Sequence, residues 1–398
     1  MPDGRDQPVL RLADGIAKLD ATAWNACAGS ANPSLSHEFL AAMEESGSVG
    51  KGTGWRSRPL LLESPDGHLL GAAPLYVKSH SYGEYVFDHG WANAYERAGG
   101  RYYPKLLVGV PFTPVPGPRL LVRPRAEAEA NRRRLAEGLI AATKQLGVSS
   151  LHVNFVEAAD SRALAAAGLM QRVATQYHWQ NEGYKTFADF LANLASRKRK
   201  MIRKEREGST RSGLTLRRLT GADVTRAHWE AFFRFYIDTS ERKWGSPYLT
   251  REFFLRIGQT MADRILLVLA EQDGEPVAGA LNLIGRDTLY GRNWGSDGAY
   301  RFLHFEACYY QAIEFAIERG LSRVEAGAQG EHKIGRGYLP AETQSFHYVV
   351  DGNFAAAVAD FLAREKTAIE AEREALADYS PFRQIGKPQS LIVSSQTG

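Results

Sequence analysis

A chain of 398 residues, 44% hydrophobic and 24% charged, has the composition of a soluble globular protein and is too long for one ordinary core, so two domains are expected. A net charge of +4 leaves any polyanion to be met by a local patch, and two distant cysteines, Cys27 and Cys308, argue against a disulfide scaffold and offer no metal-ligand spacing. No window approaches the roughly 18 apolar residues of a membrane span, and no basic segment leads into an apolar run at the N-terminus, so a cytoplasmic location is expected.

From Trp24 to Gly50 the pattern predicts two short helices, broken at Asn32-Pro33, with Ser36 as the N-cap of the second. Leu60 to Glu63 and Leu69 to Val77 flank Ser64-Pro65-Asp66-Gly67 and read as a hairpin. The stretch Lys78 to Asp88 then carries Lys78, His80, Tyr82, Glu84, Tyr85 and Asp88, and further aromatic and basic residues follow as far as Lys105. Rings interleaved with cations suit stacking on a base or sugar and pairing with phosphate, which makes Lys78, His80, Tyr82 and Glu84 candidate substrate-binding residues. The same composition also describes a wet surface. Pro111 to Pro118 must be a rigid loop, a basic helix is predicted from Ala126 to Leu146, and Leu151 to Val156 alternates as a strand. Asp160 is placed to cap a short helix ending at Gly168, and Leu169 to Trp179 reads as another strand. That order is one of an α/β acyltransferase-type unit with a mixed sheet.

Phe187 to Arg206 reads as one helix with Phe187, Phe190, Leu191, Leu194, Met201 and Ile202 on a single stripe. Lys198 and Glu205 fall inside that stripe. Lys198 either snorkels to water or points into a cleft between domains where a phosphate sits. The run SRKRKMIRKER opposes seven cations with one acid, a candidate footprint for nucleic acid, although such runs are commonly just solvated.

A second α/β pattern begins at Leu214. A strand (Leu214 to Leu219) and a helix (Gly221 to Tyr236) lead to a segment with Arg242, Lys243, Trp244 and Tyr248, where the basic-aromatic theme returns. Thr250 caps a helix from Arg251 to Met261. A hairpin turns at Asp273-Gly274, and Thr288 to Trp294 makes a further strand. The order repeats that of the first half and suggests two copies of one fold, residues 1–180 and 181–398. Arg301 to Arg319 is apolar nearly all round and should be a buried helix. Glu306 lies on its packed side, one turn from the start, as a candidate base or as the structural partner of an arginine. Val324 to Tyr338 then reads as the final strand running into a glycine-punctuated loop, with Glu325, Gln329, Glu331, His332, Lys333, Arg336 and Tyr338 collected there. A site and a solvated loop with turn glycines are both compatible with that composition.

The stretches NPSLSHEFLAAMEESGSVG, PLYVKSHSYGEYVFD, YYPKLLVGVPFTPVPGPRLL, SRKRKMIRKER, RKWGSPYLTREFF, LHFEACYYQAIEFAI and VEAGAQGEHKIGRGY, spread from about Asn32 to Arg383, resemble the FemAB-like proteins of the GNAT superfamily. The resemblance implies an α/β fold with mixed sheets, built as two tandem GNAT-like acyltransferase domains around an inter-domain cleft. It implies an acyl or aminoacyl transferase acting on a small-molecule amine such as a cell-wall precursor. Lys333 is the residue that looks like the late lysine stabilising charge at the reacting centre, with Glu306 or His332 taking the proton. Lys198, Arg242, Lys243, Trp244, Tyr248, Glu325, Arg336 and Tyr338 join the candidate substrate-binding residues. The donor is expected to be aminoacyl-tRNA, with helix Arg197 to Arg206 as its footprint, or acyl-CoA, with neither a covalently bound cofactor nor a metal. A phosphate loop of the usual GNAT spacing is not matched by GSDGAYRF, which keeps only Gly295 and Gly298. A non-catalytic binding protein on the same scaffold is the third reading.

Overall fold

The computed structural model describes residues 7–211, 213–243, 247–327 and 330–383. The first half runs β1 (Val9–Leu12), α1 (Ala21–Ala28), α2 (His37–Glu45), β2 (Trp55–Ser57), β3 (Leu60–Glu63), β4 (Leu69–Ala73), β5 (Leu75–Lys78) and α3 (His89–Arg97). It continues with β6 (Lys105–Val108), β7 (Leu121–Val122), α4 (Ala128–Gln145), β8 (Ser150–Val153), α5 (Ala158–Ala166) and β9 (Met170–Gln180). The second half opens with α6 (Phe187–Asn193), α7 (Ser196–Thr210), β10 (Leu214–Thr220), α8 (Arg226–Lys243), α9 (Arg251–Thr260), β11 (Ile265–Gln272) and β12 (Glu275–Ile284). There follow β13 (Thr288–Ser296), α10 (Leu303–Phe305), a π-helical turn (Glu306–Tyr310), α11 (Gln311–Glu318), β14 (Arg323–Glu325), a 3-10 turn (Glu331–Arg336), β15 (Leu339–Val349) and α12 (Gly352–Ala377).

The expected caps are in place: Ser36 accepts from the Phe39 amide and Thr250 from the Phe253 amide, each satisfying a helix-start donor. The main sheet has eleven strands in the order β10-β11-β12-β13-β14-β9-β15-β8-β6-β5-β2, and β1-β3-β4-β7 form a second sheet. The main sheet is nearly symmetric about its centre. In each half a parallel pair is joined through a crossover helix, β6 with β8 across α4 and β13 with β14 across α10 and α11. Between these pairs the halves interleave their closing strands, β9 beside β14 and β15 beside β8. This is the tandem GNAT-like arrangement. One core cluster unites Trp24, Phe39 and Trp55 of the first half with Phe232, Phe253 and Phe254 of the second, so the halves share buried apolar surface.

Four local expectations are corrected. Phe187 to Arg206 is two helices, because Leu194 is extended and the Ala195 amide donates to Pro381 O instead of continuing a helix. Asp160 is no cap: it lies inside the first turn of α5, buried, and accepts from the backbone amides of Arg119 and Leu120. The helix predicted from Arg301 starts at Leu303 and carries the π-helical turn, which inserts an extra residue per turn and rotates Glu306 and Tyr310 relative to an ideal helix. Finally, Val324 to Tyr338 is not the closing strand. Three residues, Arg323–Glu325, form β14, and the strand that closes the sheet is β15.

Candidate active site

The parallel strands β13 and β14 are paired only from Thr288 to Tyr290 against Arg323 to Glu325. Beyond that point β13 continues to Ser296 while β14 has ended, so the ladder between them stops at Tyr290 and Glu325. Lys333, on the 3-10 turn, is buried beside the end of that ladder. Its ammonium donates to Ala326 O at 2.6 Å and Gly327 O at 3.0 Å, two carbonyls left free where β14 stops. Burial brings its pKa down to about 8. Among the described residues two of the three N–H groups are committed in this way and one remains.

Around Lys333 the structure gathers several residues that are distant in sequence. His332 exposes its ring, with Nε2 3.1 Å from the Tyr309 hydroxyl, and burial lowers its pKa. Arg336 donates to Glu205 through Nη2 at 2.6 Å and Nε at 3.1 Å, and its guanidinium lies 3.5 Å over the Phe305 ring. Tyr310 also donates to Glu205, so this acid in the apolar stripe of α7 is paired and not stray. Tyr338 is fully buried, its hydroxyl 3.4 Å from Tyr309 O. Lys198, half-buried on α7, brings its amine against Gly335, 3.4 Å from where a Cβ would stand. Glu306 is held by Arg206 through Nε and Nη2, at 3.0 to 3.2 Å, and by Gln311 at 2.8 Å, the geometry of an arginine's structural partner. Glu325 is buried on β14 with neither carboxylate oxygen accepting a hydrogen bond among the described residues. Arg323 stands 3.1 Å away, yet burial dominates and pushes the Glu325 pKa up to about 7.

Other candidates lie elsewhere. Lys78 and Glu84 belong to a buried network of the first half, in which the Lys105 ammonium donates to Ser81, Glu84 and Asp88, and Lys78 sits 3.5 Å over the Trp55 ring. Burial lowers the Lys78 pKa to about 7. His80 bonds to Thr53 O at 3.0 Å, and Tyr82 is exposed beside it. Arg242 pairs with Asp238 and with Ser296 O, at the mouth of a cavity of about 220 Å³ that Trp294, Tyr300 and His304 also line. Lys243 ends α8, but its side chain and all of Trp244 lie outside the described residues, as does Gln329. Tyr248 stacks on Phe112, centroids 4.8 Å apart. Phe112 is one wall of a cavity of about 150 Å³ between the halves, which Tyr85, Thr113, Tyr290, Arg292, Asn293 and Gly327 also line. Arg292 was hidden in the sequence. Its only signal was a cation in mid-strand, between Gly291 and Asn293.

The described residues contain no cluster of acids, histidines and cysteines able to hold a metal, and no helix long and apolar enough to cross a membrane. A family model for FemAB-like proteins, described as peptidoglycan biosynthesis/recognition, matches residues 15–384. No curated protein sequence matches the chain. Among solved structures, FemX is similar with a TM-score of 0.53 at 12% identity, over 85% of this chain and 97% of FemX. L-PGS from Bacillus licheniformis gives 0.49 at 12% identity, over 84% and 97% of the two chains. A tandem GNAT protein from the clavulanic acid biosynthesis pathway gives 0.45 at 12% identity, over 87% and 99%. At such identities the likeness is one of fold.

Proposed function

Because this chain belongs to the FemAB-like family of the GNAT superfamily, we propose that it moves an activated acyl or aminoacyl group onto a substrate amine. The observation that carries the reading is the end of the β13–β14 ladder with the buried Lys333 ammonium beside it, one N–H uncommitted among the described residues. Attack of an amine on an ester or thioester carbonyl passes through a tetrahedral oxyanion. A cation fixed in a site of low dielectric stabilises that charge far more than it would in water. Two backbone carbonyls hold the ammonium in place, so little reorganisation is needed as the charge develops.

The amine must first lose a proton. His332 is suited to accept it: burial favours the neutral ring, the ring is accessible, and the Tyr309 hydroxyl fixes its orientation. Glu306, occupied by Arg206 and Gln311, is assigned to positioning the π-helical turn that carries Tyr309 and Tyr310.

A polyanionic donor such as aminoacyl-tRNA is favoured by α7. Arg197, Lys200, Arg203 and Lys204 are exposed there with no acidic partner among the described residues, on the helix whose Glu205 and Lys198 abut the Lys333 turn. The cavity at Arg242, Trp294 and His304 favours the second reading, an acyl-CoA donor entering where β13 ends. Native mass spectrometry of freshly purified protein, followed by thermal-shift titration with acyl-CoAs and with charged tRNA, separates the two. Turnover that survives Lys333→Ala would reject the role given to that lysine.

A further inference from the structure

Arg292 is the least satisfied cation among the described residues. It stands at a bulge in β13: Gly291 faces Asn282 and Asn293 faces Leu281, so Arg292 has no partner on β12 and its side chain is re-aimed out of the ladder. The guanidinium reaches the seam between the halves and lies over Phe39 of the first at 4.8 Å and Phe253 of the second at 5.6 Å. Nη1 donates to Thr113 Oγ1, whose own proton goes to Pro111 O. Nε and Nη2 are closed to solvent and have no hydrogen-bond partner among the described residues. No carboxylate of the described residues lies within ion-pairing distance, and the nearby groups that act on its charge are Tyr85 and Tyr236.

The edge left empty is informative. Nε–H and Nη2–H are the parallel donors that grip a carboxylate side-on. Among the described residues five other arginines use this same edge on a glutamate: Arg11 on Glu63, Arg172 on Glu365, Arg206 on Glu306, Arg251 on Glu230 and Arg336 on Glu205. Leaving such donors buried and unpaired is costly, so the fold retains a penalty that an incoming acid would remove. Beside it Asn293 Oδ1 is likewise buried and without a donor among the described residues, and both residues line the cavity of about 150 Å³ between the halves. That volume takes a small group, not a nucleotide.

We propose that Arg292 is a carboxylate-recognition residue, and that the amine acceptor carries a free carboxylate, as an amino acid or a peptide C-terminus does. This rests on the transferase reading for the word acceptor, but not for the binding. A single guanidinium matches the single charge of a carboxylate. Asn293 Oδ1 takes an N–H next to it, while the Tyr85 and Phe112 rings wall the aliphatic part. Inorganic phosphate offers the same oxygens with more charge than one arginine offsets.

The test titrates full-length protein with dialanine, dialanine amide, acetate and phosphate, following the Arg292 Nε–H resonance and binding heat. Dialanine and acetate should shift the resonance, and dialanine should bind at least about 10-fold more tightly than its amide. Arg292→Gln should bring acid and amide within about 2-fold, and Arg292→Lys should retain part of the preference. The idea is overturned if no carboxylate moves the resonance, if acid and amide bind alike, if the preference survives in Arg292→Gln, or if phosphate outcompetes dialanine. A carboxylate-dependent shift without transfer from any donor would remove the transferase reading and leave this site intact. Transfer to acid and amide acceptors at equal rates would do the reverse.

Discussion

Glu205 and Arg336 meet as a buried fork, Nη2 2.6 Å from Oε1 and Nε 3.1 Å from Oε2, which ties α7 to the turn carrying His332 and Lys333. Both side chains are withdrawn from water, so neither charge tolerates the loss of the other. Glu205→Ala should lower the unfolding free energy by about 3–5 kcal/mol in urea titration, because it strands Arg336. The double variant Glu205→Leu with Arg336→Met should recover most of that stability without recovering transfer. A single variant as stable as the parent would show that the pair does not organise the turn.

Lys333→Met should reduce turnover by about 10²- to 10³-fold, the usual effect of losing one oxyanion donor. The ammonium is the active form, and burial has brought its pKa to about 8, so the parent's rate should fall as pH rises through that value. Lys333→Arg should shift that falling limb to higher pH. A parent profile flat from pH 7 to 9 would contradict the assignment.

Glu325 holds its proton in the fold at a pH where the unfolded chain has lost it, since burial raises its pKa from 4.5 to about 7. Its contribution to stability is therefore full below about pH 4.5 and is lost as pH rises through 7. Glu325→Gln should stabilise the protein by about 1–3 kcal/mol at pH 8 and by little at pH 5. If the residue serves substrate, the same variant should lose transfer, the usual sign of stability yielded at a site. Equal effects on unfolding at both pH values would exclude an ionised buried Glu325.

His152 and His347 face each other with Nδ1 atoms 2.7 Å apart and lock β15 against β8. Asp88, Lys105 and Arg172 act on both of them, and Ser150 and Ser345 take their outer nitrogens. Burial lowers the His152 pKa to about 3 and that of His347 well below 6.5, so the folded pair stays neutral where the unfolded chain takes up protons. Their contribution is present above about pH 6.5 and is lost as pH falls through their lowered pKa values, for His152 about 3, at up to about 1.4 kcal/mol per pH unit for each. His347→Gln should flatten the acid limb of a stability–pH curve, and an unchanged slope would rule the pair out as its source.

Reversing Lys200, Arg203 and Lys204 to glutamate should weaken tRNA binding and reduce its salt dependence by a slope of about one for each phosphate no longer engaged, with unfolding changed by less than about 0.5 kcal/mol. Filter binding across a salt series reads both effects. Undiminished binding would move the donor away from α7.

Local chemistry is legible in the amino-acid sequence by itself. Ser36 and Thr250 cap because a side-chain oxygen needs only the amide three residues on. The hairpin at Asp273-Gly274, the repeated strand and helix order, and the collection of polar tips from Glu325 to Tyr338 follow likewise from spacing and turn chemistry. The tertiary structure decided what those tips do. Glu205 and Lys198 stood in an apolar stripe for no reason visible in their own helix, since Arg336 and Gly335 lie more than a hundred positions away. Lys333 became a cation on two carbonyls only because β14 stops at Glu325 while β13 runs on to Ser296, and the π-helical turn set Glu306 against Arg206. Arg292 acquired its meaning from a bulge and from aromatic rings on other elements. Periodicity reports which face of an element is apolar. Which charge meets which, and which is left unmet, depends on how the elements pack.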